Sequence, residues 1–308
     1  MRATTPASGP SSAALAVLAT LVVLSPWPFG SAHPRTTQAI ALVTLVAALV
    51  LLIGRGRGIP VASGGVAGPL LGLWLLACLQ IVPLPRSLLT VLAPGPSAVW
   101  YPSDLVAAGV LGSGARPPSL HPEATTRALA FATGLVALVL LAAPALKERR
   151  TLVRVAAGAV SGGVLVALFG LAARVLFHDK LYGVLSVPTL APFGPFVSKN
   201  HFAGYVEMAA CLAAGLATGL AEEAKRGPGR LGWLDSPKAA RVVFAWGAAF
   251  VLALAVPVSL SRGGTVSLAA GLLAFVLVRI ATRRGAEGGR HALALAAAGL
   301  LVAGVGLA

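Results

Sequence analysis

Apolar residues in this chain recur in blocks of about 15 to 20, broken by short basic or Pro/Gly-rich stretches, and that spacing points to a polytopic transmembrane helix bundle, an all-α fold. Strands of a membrane barrel would alternate polar and apolar residues, and these blocks do not. A composition of 57% hydrophobic and 11% charged residues over 308 positions, with a mean hydropathy of +0.88, is too apolar for a water-soluble domain of this length. Nine candidate spans follow, each near the ~20 residues that cross a hydrocarbon core. They cover residues 12–29, 36–53, 64–82, 124–146, 155–177, 202–221, 242–260, 264–280 and 291–308, read as a single transmembrane domain over 1–308. The last span reaches Ala308 with no closing polar segment, so the sequence is expected to be a fragment or a truncated frame.

The net charge is +15, from 24 Lys+Arg against 9 Asp+Glu. In a soluble protein this would point to nucleic acid; here the basic residues sit at span ends and loops, where membrane topology accounts for them and no nucleic-acid partner is expected. Arg2, Arg55, Arg57 and the clusters at 147–154, 225–241 and 279–290 fall on one side, with sixteen of the 24 basic residues; eight fall on the other. The positive-inside rule then puts the N-terminus in the cytoplasm and the end of span nine outside. Arg2 and the apolar run from Ala13 to Leu24 mimic a signal peptide, but no convincing small-residue cleavage site follows, and the segment reads as an uncleaved first span. Cys78 and Cys211 lie inside apolar runs without CxxC or Cys/His spacing, which indicates neither a disulfide framework nor a zinc site.

Two outer segments are long. Residues 84–122 are proline-rich and end in SLHPEATTR, where Pro122 suits a first helical turn and Glu123 can pair with Arg127 at i,i+4. Residues 178–201 form a Pro/Gly/aromatic stretch suited to lying at the interface. Gly158 and Gly162 form a small-xxx-small pair in span five, read as close helix packing.

Two places look like chemistry. In VSLSRGGTVSLAAG, residues 258–271, the turn between spans seven and eight holds Arg262 close to the apolar boundary, where an ionised group needs a role or a partner. Gly263 and Gly264 let the backbone approach a ligand, the start of span eight offers unpaired N–H groups beside Ser261, and a guanidinium grips phosphate through two parallel hydrogen bonds. This reads as an anion site, against the competing reading of an arginine snorkelling beside a tight glycine turn. In GPFVSKNHFAGYVEMAA, residues 194–210, Lys199, Asn200 and His201 precede span six on the same face of the membrane, with a polar helix cap at the headgroups as the competing reading. Glu207 lies six residues beyond His201, about 9 Å deeper, where a carboxylate is either paired with a cation or functional. His178 and Asp179 are adjacent but lack a third ligand at metal spacing, so no metal is expected. The chain carries no Rossmann fingerprint, P-loop or GxSxG elbow, and no cofactor is expected.

FVSKNHFAGYVEMA, the LSLSRGG turn with its following helix, the SLHPEATTRALAF start of span four and the order of spans around them resemble the O-antigen ligase and polymerase-like family of bacterial inner-membrane glycosyltransferases. The likeness covers most of the chain. It implies a donor glycan carried on undecaprenyl diphosphate and an acceptor that is lipid A core, a growing polysaccharide or a protein, joined on the periplasmic side. It further implies that Arg262 and Lys199, where relatives often carry arginine, sit at the donor diphosphate. His201 becomes the nearest titratable candidate for an accessory acid or base, with positioning as its competing role. Asn200, Ser261, Gly263, Gly264, Glu207 and Arg127 become candidate substrate contacts. The chain departs from the family pattern in one respect: the large periplasmic segment, which in the ligases carries a histidine thought to act in catalysis, and the closing helices would lie beyond residue 308. A carrier or flippase, and a truncated relative that binds the lipid donor without turning it over, are the alternative readings.

Overall fold

The computed structural model describes residues 10–54, 67–103, 114–177, 180–186, 191–225 and 237–283. The helices are α1 (Pro10–Leu24), α2 (Pro34–Ile53), α3 (Ala67–Leu79), α4 (Arg86–Leu92), α5 (Pro94–Trp100), α6 (Pro122–Ala142), α7 (Arg149–Leu176), α8 (Lys199–Lys225), α9 (Pro237–Val258) and α10 (Arg262–Arg283). Among the described residues the only β pairing is three isolated bridges. Six helices are long and apolar enough to cross a membrane: α2, α6, α7, α8, α9 and α10, while α1 and α3 are shorter apolar helices. The candidate span at 291–308 lies outside the described residues. Span one ends earlier than hydropathy predicts, because Pro26 and Pro28 follow Leu24 and the chain turns into a short 3-10 helix at Phe29–Ser31. Outward-facing side chains are large and apolar, with Phe244 77% and Phe250 68% exposed, as a lipid-facing surface requires.

The chain divides into two compact units, one formed by residues 1–18 and 34–147, the other by 19–33 and 148–308. In the first, α2 and α6 approach closely at Gly134, where a Cβ would lie 2.8 Å from the backbone nitrogen of Leu45. Thr44 is fully buried at this crossing and turns its hydroxyl onto the Ala41 carbonyl at 2.8 Å. Trp74 of α3 donates its indole N–H to Thr133 of α6 at 2.9 Å. The proline-rich segment 84–122 is ordered in its described parts by cation–π contacts, Arg86 over Tyr101 and Arg116 over Trp100, at 5.3 and 5.2 Å. Helix α6 starts at Pro122 as the sequence predicts, with His121 as its cap: the ring Nδ1 accepts from Ala124 N–H at 3.3 Å.

The second unit is a bundle of α7 to α10 with the end of α1. Hydrocarbon tails give helices no hydrophobic reason to associate, so close packing of small residues takes that part. Helix α8 supplies it through Ala203, Ala209, Ala210, Ala213 and Ala217, all buried. On α7 the close approaches fall at Gly163, which faces Ala209, and Gly170, which faces Phe202 and Phe193; Gly162 packs on Val23, but the Cβ position of Gly158 is open. The small-xxx-small pair therefore contributes one contact residue rather than two. Ion pairs show the helix directions. Glu223, near the end of α8, meets Arg149 at the start of α7 at 2.9 Å, and neighbouring Glu222 meets Arg279 near the end of α10. Helices α8 and α10 therefore run parallel, with α7 antiparallel to both, and the starts of α8 and α10 lie together at the opposite end.

Candidate functional site

Both helices that begin at that end begin the same way. Ser198 precedes Lys199, and its hydroxyl accepts from Asn200 N–H at 3.3 Å, while its carbonyl accepts from Phe202 N–H at 3.2 Å. Ser261 precedes Arg262, and its hydroxyl accepts from Gly264 N–H at 3.2 Å, while its carbonyl accepts from Thr265 N–H at 3.0 Å. Each serine is thus a helix cap followed at once by a cation. The two starts are joined: Ser261 Oγ donates to Asn200 Oδ1 at 2.8 Å. Arg262 and His201 are exposed and Lys199 half-buried. None of these three has an acidic partner among the described residues. The opposite end of the bundle differs, since Arg279 and Arg149 there meet Glu222 and Glu223.

Parallel helices add their positive dipole ends where they start together. The first N–H groups of any helix lack acceptors in their own helix; here Ser261 takes the one at Gly264, and those of Arg262 and Gly263 belong to the unpaired set. Two helix starts tied by the Asn200–Ser261 bond, each opening with a cation, make an arrangement suited to an anion.

A seam of alternating polar and tight contacts holds this geometry. Asn200 meets Ser261; one turn deeper Ala203 meets Gly264; a further turn brings Glu207 to Ser267; and Cys211 then faces Gly271, whose Cβ position lies 3.1 Å from the thiol sulfur. Gly264 is buried, and the close approach it permits is of one helix to the other. The left-handed backbone lies instead at Leu260, with φ of 58°, in the turn between α9 and α10. A non-glycine residue there costs on the order of 1–3 kcal/mol, which buried Ser259 helps to offset: its hydroxyl donates to Val256 O at 2.6 Å and accepts from Ser261 N–H at 3.4 Å. Glu207 has a hydroxyl partner, Ser267, rather than a cation among the described residues, and that hydroxyl also reaches Gly264 O at 3.3 Å.

The candidate residues from the sequence divide accordingly. Lys199, Asn200, His201, Ser261, Arg262, Gly263 and Gly264 come together at one end, and Glu207 lies below them in the seam. Arg127 belongs to the first unit, where it pairs with Glu123 at 3.6 Å as its spacing predicts. His178 and Asp179 lie outside the described residues, and no group of three or more His, Cys, Asp or Glu converges among those described. Cys78 and Cys211 are both free and partly buried.

Sequence reasoning missed the second cap, Ser198, although serine directly before a span is a start signal. It also missed an aromatic cluster at the same end. Trp27 packs on Phe169 at 5.6 Å, Phe169 on Tyr182 at 5.5 Å, and the Tyr182 hydroxyl donates to the Trp27 carbonyl. Burial pushes the Tyr182 phenol up from its ordinary value.

The Asn200–Ser261 bond can be measured as a coupling. Asn200→Ala and Ser261→Ala, singly and together, should show an interaction of about 0.5–1.5 kcal/mol in thermal unfolding of the detergent-solubilised chain. Strict additivity of the two would mean that the bond does not join the helix starts. No protein-family profile, curated protein or solved structure matches this chain.

Proposed function

We propose that this chain is a glycosyltransferase of the O-antigen ligase and polymerase-like type, which moves a glycan from undecaprenyl diphosphate to an acceptor on the periplasmic face of a bacterial inner membrane. The observation that carries the reading is the pair of serine-capped, cation-first helix starts tied by Asn200 and Ser261. Glycan transfer leaves a lipid diphosphate that gains negative charge as the sugar departs. Fixed cations and helix dipoles stabilise such a leaving group without reorganising at the moment of reaction. Arg262 is the bidentate grip on phosphate, Lys199 the point charge beside it, and His201 the titratable neighbour. In this reading nine spans cross the membrane with the N-terminus in the cytoplasm, which puts the starts of α8 and α10 on the outer side.

Purified protein in lipid nanodiscs, given a glycan on undecaprenyl diphosphate together with candidate acceptors, should release undecaprenyl diphosphate as the glycan is transferred. Donor binding without release identifies a non-catalytic donor-binding protein and overturns the transferase reading. Flipping of the donor in vesicles without transfer identifies a carrier and overturns it equally.

A further inference from the structure

The proline-rich stretch that follows α3 has one built side and one bare side. Leu88, Val91 and Leu92 of α4 stand at i, i+3 and i+4, the spacing of a single helix face, and Val91 and Leu92 are 77% and 65% exposed. On the built side Leu89 is fully buried. The Thr90 hydroxyl, engaged on Arg86 O at 2.8 Å, accepts from the Ser97 hydroxyl at 3.0 Å and so locks α4 to α5.

The segment hangs directly from an apolar helix. Leu84 exchanges backbone hydrogen bonds with Arg116 at 2.9 and 3.0 Å, and Ser119 N–H donates to Gln80 O at 2.9 Å, just past the end of α3. Leu76 and Leu79 of α3 are exposed, and so is Val82, so bare aliphatic side chains continue along the chain from α3 into α4. Residues 84–103 and 114–122 contain no acidic side chain, and their two arginines, Arg86 and Arg116, lie over the rings of Tyr101 and Trp100. Cations beside Trp and Tyr suit a membrane–water boundary, where anionic phosphate headgroups meet hydrocarbon. The backbone suits it as well. Pro85, Pro94 and Pro96 have no N–H to leave unpaired, and the N–H groups of Leu89, Ala93, Ser97 and Tyr101 each reach the carbonyl four residues back. A second copy meeting this face symmetrically would set arginines against arginines with no acid from the segment between them.

We propose that α4 and α5 form an interfacial membrane anchor, lying along the lipid boundary at the end of α3 with Leu88, Val91 and Leu92 in the acyl region and Arg86 and Arg116 at the phosphates. The stretch is then part of the membrane-bound surface rather than a loop in water. This inference does not rest on glycan transfer.

The full chain in nanodiscs of phosphatidylcholine and phosphatidylglycerol, carrying an environment-sensitive fluorophore on Val91→Cys or, separately, on Leu92→Cys, tests the proposal. The signal of the unsubstituted chain, from Cys78 and Cys211, is subtracted. Glu123→Cys is the water-side reference, since the native side chain is 84% exposed in the first turn of α6. Lipid with a nitroxide near the headgroup end of its acyl chain should quench the α4 labels strongly, and iodide weakly. The ratio of lipid to iodide quenching should exceed that of Glu123→Cys about 5-fold, because an interfacial helix sits roughly 5–10 Å into the boundary. A ratio equal to the reference means that α4 faces water and overturns the anchor. Quenching by neither agent means that protein, a second copy included, covers the face, and overturns it equally. Both residues are exposed, so unchanged melting is expected, and if one variant does not fold the other reads the same face.

Discussion

Under the proposed transferase reading, replacing Arg262 with alanine should lower glycan transfer by about 100- to 1,000-fold while the protein still inserts and melts as wild type, the loss typical when one fixed donor to a developing oxyanion is removed. The selectivity of this effect follows from position. Arg262 is exposed, opens α10 and has no acidic partner among the described residues, so its removal leaves no buried charge unpaired. Its loss is felt only when an anion sits at the paired helix starts. Arg262→Lys should recover part of the rate, because an ammonium keeps the charge and loses the two-pronged grip. Turnover of release of undecaprenyl diphosphate under saturating donor reads this directly. Wild-type turnover in the alanine variant, at equal expression, removes Arg262 from the reaction.

Gly264→Leu should act by a different route and damage both stability and function. At Gly264 even a single Cβ would fall well inside van der Waals contact with the Cβ of Ala203, and it would also lie 3.1 Å from Ser261 Oγ. A leucine must force α8 and α10 apart or displace the Ser261 cap, and overpacking of this kind costs about 1–3 kcal/mol. Separation breaks the Asn200–Ser261 bond that ties the two helix starts, so under the proposed reading transfer falls together with the melting temperature. Gly204→Ala, at the next position along α8, is the matched control: nothing lies within 4 Å of its Cβ position, and it should be neutral or slightly stabilising. Equal melting temperatures for Gly264→Leu and wild type would mean that the seam does not hold the two helices.

The two variants separate what holds the site from what the site does. Asn200, Ser261, Ala203 and Gly264 join the helix starts, whereas Arg262 and His201 are exposed and Lys199 is half-buried beside them. A loss of transfer at unchanged stability belongs to the second group, and a joint loss to the first.

Much of the fold was legible because hydropathy and helix starts are local properties. The apolar blocks at 36–53, 124–146, 155–177, 202–221, 242–260 and 264–280 each coincide with a long helix, since a run of about 20 apolar residues in lipid must satisfy its own backbone hydrogen bonds. Pro122 marked the start of α6 for the same local reason, and the Glu123–Arg127 pair needed only helical spacing. The helix starts near Lys199 and Arg262 were equally visible. The proline-rich stretch 84–122 was less so: its composition describes a surface loop, while α4, α5 and the two cation–π contacts depend on residues meeting across the segment.

By itself the sequence determined that this chain is an apolar, all-helical protein whose basic residues gather at helix ends, and that Lys199 and Arg262 stand at the starts of two of its helices. Only the tertiary structure decided that these two starts are one place. Asn200 and Ser261 are 61 positions apart, and their meeting depends on how α8 and α10 pack together with α9 between them in the chain, rather than on any local preference. The same holds for the glycines: composition offers many, but Gly264, Gly163 and Gly170 act as contact points and Gly158 and Gly204 do not, because a glycine permits close approach only where another helix arrives.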